Sequence, residues 1–174
     1  MSKAALTSQE IMRLFDLLHA QLAERGVRAE LYLVGGAVMC LSLNARVSTM
    51  DVDCLFQPSR VVRECAAAVA LEAGVSEHWL NDGVKGYLSA HGTFTPYIDM
   101  EFLHVYMAQP DYIFAMKCLA MRLGEEFYDL DDVRFLIRNL NIESYDSACE
   151  VLAKFYPIER FPQKTLYVLQ ELLG

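Results

Sequence analysis

Two carboxylates, Asp51 and Asp53, alternate with apolar residues near the end of the run Tyr32 to Phe56, YLVGGAVMCLSLNARVSTMDVDCLF. On a strand both acids leave one face while Val52 and Cys54 enter the core. Carboxylates set in parallel in this way hold a divalent cation. Upstream, an apolar stretch ends in Gly35 and Gly36, and a turn without Cβ atoms lets phosphate oxygens approach backbone N–H groups. If the two strands pair in one sheet, turn and acids meet, and the chemistry is that of a nucleotide with a metal ion. A glycine pair alone is weak, because a strand-to-helix turn needs glycine for conformational reasons. Solvated acids on an edge strand would be the plainer account of the carboxylates. That account leaves the apolar Val52, Cys54, Leu55 and Phe56 unexplained. Arg46 and Thr49 precede the acids, where a cation and a hydroxyl contact phosphate or carboxylate oxygens, or order the loop.

The elements that must position these residues are legible from punctuation. Thr7 and Glu10 fit a capping box, and Ile11, Leu14, Phe15, Leu18 and Leu22 then recur at helical spacing until Gly26. Residues 30–35 read as a short buried strand and Gly36 to about Asn44 as a helix whose N-terminus faces any phosphate held at the glycines. A strand over 51–56 follows, then a helix opened by Pro58 and Ser59 and closed by Gly74. The segment from His78 to Gly86 is less regular. The run YIDMEFLHVYM, Tyr97 to Met107, alternates and predicts one or two strands with Asp99 and Glu101 on one face. Pro110 begins an apolar helix expected to reach Leu123 and to stop at Gly124. Helical spacing recurs over 129–140, 145–155 and 162–173. The fold class is α/β (α+β). A lobe over 1–109, with a small mixed sheet flanked by helices, joins a helical lobe over 110–174 without a flexible linker, the two packed as one unit.

Of the 174 residues, 54% are hydrophobic, enough for a substantial core. Fifteen basic residues against 23 acidic ones give a net charge of −8, which disfavours broad nucleic-acid binding because a polyanion is repelled at long range. Arg60 and Arg63, one helical turn apart, read as a solvated face. The five cysteines are scattered, in apolar surroundings and without a CxxC pair, so they read as reduced core residues. The four histidines match no zinc spacing. No run of 18 apolar residues occurs, and MSKAALTSQE lacks the features of a secretory leader. The expectation is a cytoplasmic protein with no membrane partner.

Other polar groups stand in less certain company. Lys117 lies within an apolar helix, where an ammonium needs a partner unless its stem packs and its head reaches solvent. Asn81, Asp82 and Lys85 follow Trp79, as a capped turn anchored by one aromatic or as a polar border to the site. His104 reads as core or as support rather than as catalytic, and the aromatic and Met residues of the last helices as core.

Taken in order, Gly35-Gly36, Arg46, Thr49, Asp51 and Asp53 resemble the nucleotidyltransferase superfamily, with its glycine pair, threonine and DxD strand. Three further segments resemble the DUF6036 group, related to the AbiEii and MenT type toxin nucleotidyltransferases. These are Trp79 to Gly86, Pro110 to Arg122 with its AMK and AMR steps, and Asp129-Leu130-Asp131-Asp132-Val133. The likeness spans about residue 30 to Pro157. It implies transfer of a nucleoside monophosphate from an NTP to a hydroxyl on RNA, protein or a small molecule, in a toxin or phage-defence setting with a cognate antitoxin. Magnesium or manganese would bridge the triphosphate, held by Asp51, Asp53 and a third acid, Asp99 or Glu101, with Asp99 the first choice. Gly35 and Gly36 would hold the β and γ phosphates, with Arg46, Thr49, Lys85 and Asn81 in support. Lys117 would bind phosphate or pair with Asp132 or Asp129, completing a cleft between the lobes. Without a third carboxylate, the alternative is a catalytically silent binding or antitoxin-interacting module. The acidic balance makes tRNA the weaker acceptor.

Overall fold

The computed structural model describes residues 4–122 and 129–174. The helix expected to run from Pro110 to Leu123 ends at Leu119, with Ala120 as its C-cap and Met121 and Arg122 outside it, a correction to the sequence reading; Gly124 lies outside the described residues. The chain divides into two compact units, residues 1–86 with 94–108, and residues 87–93 with 109–174. The segment Tyr87–Thr93 goes with the helical unit, although it precedes the last two strands of the first unit in sequence. Among the described residues no helix is long and apolar enough to cross a membrane.

The first unit is mixed α/β. Its elements are β1 (Leu6–Thr7), α1 (Ser8–Arg25), β2 (Ala29–Val34), α2 (Gly36–Leu41), β3 (Ser48–Thr49), β4 (Val52–Gln57), α3 (Ser59–Ala73), β5 (Leu80–Asn81), β6 (Phe94–Asp99) and β7 (Leu103–Ala108). The capping box forms as expected. Thr7 Oγ1 accepts from the Glu10 N–H, and the Glu10 carboxylate accepts from the Thr7 N–H at 3.1 Å. Gly26 and Gly74 end α1 and α3 in the left-handed conformation. The helix after the glycines is shorter than expected, stopping at Leu41 rather than near Asn44.

Five strands pair in the order β5-β4-β2-β7-β6. β2 runs antiparallel to β4 and parallel to β7, β5 is parallel to β4, and β6 is antiparallel to β7. One face is fully buried, through Leu31 and Leu33 on β2, Val52, Cys54 and Phe56 on β4, and Leu103, Val105 and Met107 on β7. α1 packs against α3 and reaches β7, while α3 reaches β4, so both helices cover this face. The apolar stripes of α1 (Ile11, Leu14, Phe15, Leu18, Leu22) and α3 (Val62, Cys65, Ala66, Val69, Ala70) are buried as their spacing requires. Trp79 completes the layer, its ring near Phe15 and its indole N–H donating to the Ala66 carbonyl at 3.0 Å. The opposite face is less buried. It carries Glu30, Tyr32, Asp53, Leu55, His104 and Tyr106, all only partly covered.

β1 and β3 form a separate two-stranded ladder, Leu6 opposite Thr49. Strands of two residues leave no periodicity to read. β6 and β7 are two strands of a hairpin, turning over Met100–Phe102. Glu101 therefore sits in the turn, and the expectation that it shares a strand face with Asp99 is corrected.

The second unit holds α4 (Pro110–Leu119), α5 (Asp129–Asn139), α6 (Tyr145–Ala153) and α7 (Gln163–Leu173). α4 packs on α5 and α6, and α6 on α7. Pro110 at the first turn of α4 and Ser144 capping α6 mark their starts. Tyr87–Thr93 is tied in by side chains. The Ser89 N–H donates to Tyr112 Oη at 2.8 Å, Ser89 Oγ donates to the Phe155 carbonyl, and Tyr156 Oη donates to the Tyr87 carbonyl. A Cβ on Gly92 would collide with the Tyr112 ring.

Candidate functional site

β2 ends at Val34, and Val34 stands opposite Asp53 in the β2–β4 ladder. The glycine turn that follows β2 is thereby brought to the acidic end of β4. A Cβ on Gly35 would lie 3.2 Å from Asp53 Oδ2. Gly35 also has φ 69° and ψ −147°, a conformation open in practice to glycine alone. The conformation demands glycine there, and a Cβ would also press on the Asp53 carboxylate.

Gly36 is glycine for a different reason. A Cβ there would collide with Thr49 Oγ1 and lie 2.9 Å from Arg46 Nη1. Thr49 is buried, held in the β1–β3 ladder, with its hydroxyl donating to the Asp51 carbonyl at 3.3 Å. The space above Gly36 is filled by protein side chains. Gly36 thus makes room for Thr49 and Arg46, side chains of the loop that leads into the acids.

Asp51 lies just ahead of β4 and Asp53 within it. Both are partly covered where Val52 and Cys54 are fully buried, so the two acids share the face opposite the helices. Asn81 on β5 is in register with Asp53 and therefore stands beside it on that face. Its amide is occupied locally: Oδ1 accepts from the Gly83 N–H at 3.2 Å and Nδ2 donates to the His78 carbonyl at 3.4 Å. Asp82 pairs with Lys85 at 2.7 Å and with Arg63 at 3.1 Å. The hydrogen bond from Lys85 is the main reason its carboxyl sits below the usual carboxylate range. Lys85, expected to touch nucleotide, is thus turned onto Asp82. Burial raises the Cys54 thiol, and the charges of Asp53 and Asp82 raise it further, so it is an inert core residue.

The third carboxylate is where sequence and structure part. Asp99 pairs with His104 across the β6–β7 hairpin, His104 with Glu30, and Glu30 with Gln57. Asp99 therefore belongs to the row of Gln57, four residues beyond Asp53 and three strands away from β4. At about 3.3 Å per residue and about 4.8 Å per strand, this is roughly 13 Å along the strands and roughly 14 Å across them. No cation is shared over that separation. Asp99 is 84% exposed and pairs with His104 Nδ1 at 2.8 Å. Glu101, exposed in the following turn, is at the same far end. Placing Asp99 among the metal ligands is therefore corrected by strand register. Asp53 itself stands between Asn81 on β5 and Val34 on β2.

What cation do two carboxylates suit? Among the described residues no group of three or more His, Cys, Asp or Glu side chains could hold a metal. Calcium takes six to eight oxygen ligands in a protein cage, whereas magnesium is commonly held by one or two carboxylates together with substrate phosphates and water. The donor set at Asp51 and Asp53 fits magnesium or manganese bound jointly with a phosphate chain.

In the helical unit, Lys117 Nζ pairs with Asp132 Oδ2 at 2.9 Å and with Asp129 Oδ1 at 3.3 Å. Asp129 Oδ2 also accepts from the Arg122 N–H at 2.9 Å and from its Nε at 3.0 Å. Burial alone would raise the Asp129 carboxyl, but the Arg122 hydrogen bond and the Lys117 charge outweigh it and hold the carboxyl low. Of the two roles open to Lys117, the geometry displays pairing with both aspartates.

Tyr32 falls out of step with buried Leu31 and Leu33, and the strand pairing puts it on the Asp53 face, a placement that its alternation alone does not give.

Comparison of the chain with models of known families, with curated proteins and with solved structures gave no match.

Proposed function

We propose that this protein is a metal-dependent nucleotidyltransferase whose first unit binds a nucleoside triphosphate with magnesium or manganese at Gly35, Asp51 and Asp53. The observation that carries the reading is the approach of the Gly35 backbone to Asp53, a bare turn beside a carboxylate on one sheet face. The ordered resemblance of Gly35-Gly36, Thr49 and Asp51-Val52-Asp53 to that superfamily supports it. Asp51 and Asp53 would be the protein ligands, and the bound cation would neutralise the triphosphate.

Transfer forms a bond from the acceptor hydroxyl oxygen to the α-phosphorus, breaks the bond to the bridging oxygen and releases pyrophosphate. The hydroxyl proton needs an acceptor, and Asp51 and Asp53 are the carboxylates beside the glycine turn on this face. Gly35 leaves the phosphate chain room beside them. The net charge of −8 favours a protein or small-molecule acceptor over tRNA. A toxin or phage-defence role with a cognate antitoxin rests on the resemblance alone.

The far placement of Asp99 and Glu101 favours one second reading, a module that binds the nucleotide and does not transfer it. Incubation with each α-labelled NTP and Mg²⁺ in total RNA and cell lysate separates the two. Label on RNA, protein or a small molecule, lost in Asp53→Asn, supports transfer. Mg²⁺-dependent binding with no label moved supports the silent module. Absence of any NTP binding at millimolar ligand overturns both.

A further inference from the structure

We propose that the base of the bound nucleoside triphosphate stacks against Tyr32, over Leu55, on the half-covered face of the sheet; this rests on the nucleotide reading of Asp51 and Asp53. Tyr32 and Leu55 stand opposite one another in the β2–β4 ladder. Leu55 is two residues beyond Asp53 on the same strand and hence on the same face. The separation from Asp53 to this pair is about 7 Å along the strand, the kind of gap a ribose bridges between α-phosphate and base.

The Tyr32 ring is held for such a role. It stacks on Tyr106, with centroids 4.9 Å apart and planes 11° from parallel. That separation matches the spacing of neighbouring strands, about 4.8 Å, so the rings stand side by side from β2 and β7. The ring face turned away from Tyr106 looks towards β4, where Leu55 and Asp53 stand. Phe94 meets Tyr32 edge-on at 5.2 Å. At the ring's far end Tyr32 Oη donates to Glu30 Oε2 at 2.6 Å, and Gln57 Nε2 donates to the same oxygen at 2.8 Å. The bond to Glu30, with burial and the Glu30 charge, pushes the phenol up to about 12. Tyr32 remains a neutral, oriented ring at any physiological pH.

An aromatic ring beside an aliphatic floor accepts the face of any base, because every base offers a π-surface. Such a subsite gives affinity without strong choice among bases. It also separates the nucleotide from its phosphate chain, which supplies the test.

Calorimetry compares Mg·ATP with Mg·tripolyphosphate, the same charge chain without sugar or base. The wild-type protein is expected to bind Mg·ATP about tenfold more tightly. Tyr32→Leu removes that preference and leaves tripolyphosphate binding within about twofold, while Tyr32→Phe keeps the preference. An unchanged preference in Tyr32→Leu overturns the assignment of Tyr32. Equal binding of both ligands by the wild type overturns a base subsite altogether and leaves the acceptor as the occupant of this face. Failure of the wild type to bind tripolyphosphate in a way that needs Mg²⁺ and Asp53 overturns the nucleotide reading itself. If Tyr32→Leu does not fold by circular dichroism, base-proton saturation transfer from the wild-type tyrosine rings to ATP gives the same decision, its absence overturning the stack.

Discussion

Replacing Lys117 with methionine isolates the buried ion cluster of the helical unit. In the native protein the Lys117 side chain is 13% exposed and those of its partners Asp129 and Asp132 are 5% and 4% exposed. Methionine fills much of the same volume, so the loss is electrostatic. Breaking a buried pair by removing one partner costs about 3–5 kcal/mol, because the remaining charge is left desolvated. Asp129 keeps two donors from Arg122, which places the expected cost near the lower end, about 3 kcal/mol. For a chain of this length each kcal/mol lowers the melting temperature by about 2–4 °C, so Lys117→Met should melt roughly 6–12 °C lower. Adding Asp132→Asn should recover part of that loss, since it removes one of the two buried carboxylates that the ammonium paired with. Differential scanning calorimetry of the wild type, both single variants and the double variant gives the cycle. A Lys117→Met protein melting within about 2 °C of the wild type would refute the reasoning, as would a double variant whose loss equals the sum of the singles.

Further outcomes follow from particular contacts. Gly36→Ala should destabilise the first unit by about 1–3 kcal/mol through collision with Thr49 and Arg46, read from the urea midpoint, and adding Thr49→Ala should relieve part of it. The Asp129 carboxyl is held low in the folded protein, so its contribution is intact above the unfolded value of about 3.9 and is lost as pH falls through the lower folded value. Urea midpoints at pH 5, 4 and 3 should therefore fall less in Asp129→Asn than in the wild type. Because Asp99 and Glu101 lie at the far end of the sheet, Asp99→Asn with Glu101→Gln should leave Mg·ATP affinity within about twofold, whereas Asp53→Asn should abolish the Mg²⁺ dependence.

The long elements were legible because each carried a period and a stop. The capping box of α1, the glycine ends of α1 and α3, and Pro110 at the start of α4 all stand where the residues put them. The meeting of Gly35 with Asp53 was legible conditionally, as the result of pairing two strands the sequence could only posit. What failed was long-range register. Asp99 has the apolar-acid-apolar pattern expected of a metal ligand, yet which end of the sheet it reaches depends on the direction of β6 relative to β7 and β2, which no local pattern encodes. The brief β1–β3 ladder and the allegiance of Tyr87–Thr93 were hidden for the same reason. They are fixed by Thr49, Tyr112 and Tyr156, side chains whose partners are distant in sequence.

On the proposed function, Asp51 and Asp53 hold a divalent cation jointly with the triphosphate, two carboxylates being too few to hold it alone. Isothermal titration of ATP into the protein with Mg²⁺ and with EDTA tests it directly, alongside Mg²⁺ titrated without nucleotide. Weak binding of Mg²⁺ alone is expected, with an ATP affinity at least about tenfold higher with the metal and loss of that increment in Asp53→Asn. An ATP affinity indifferent to Mg²⁺, or an increment that survives Asp53→Asn, would contradict it.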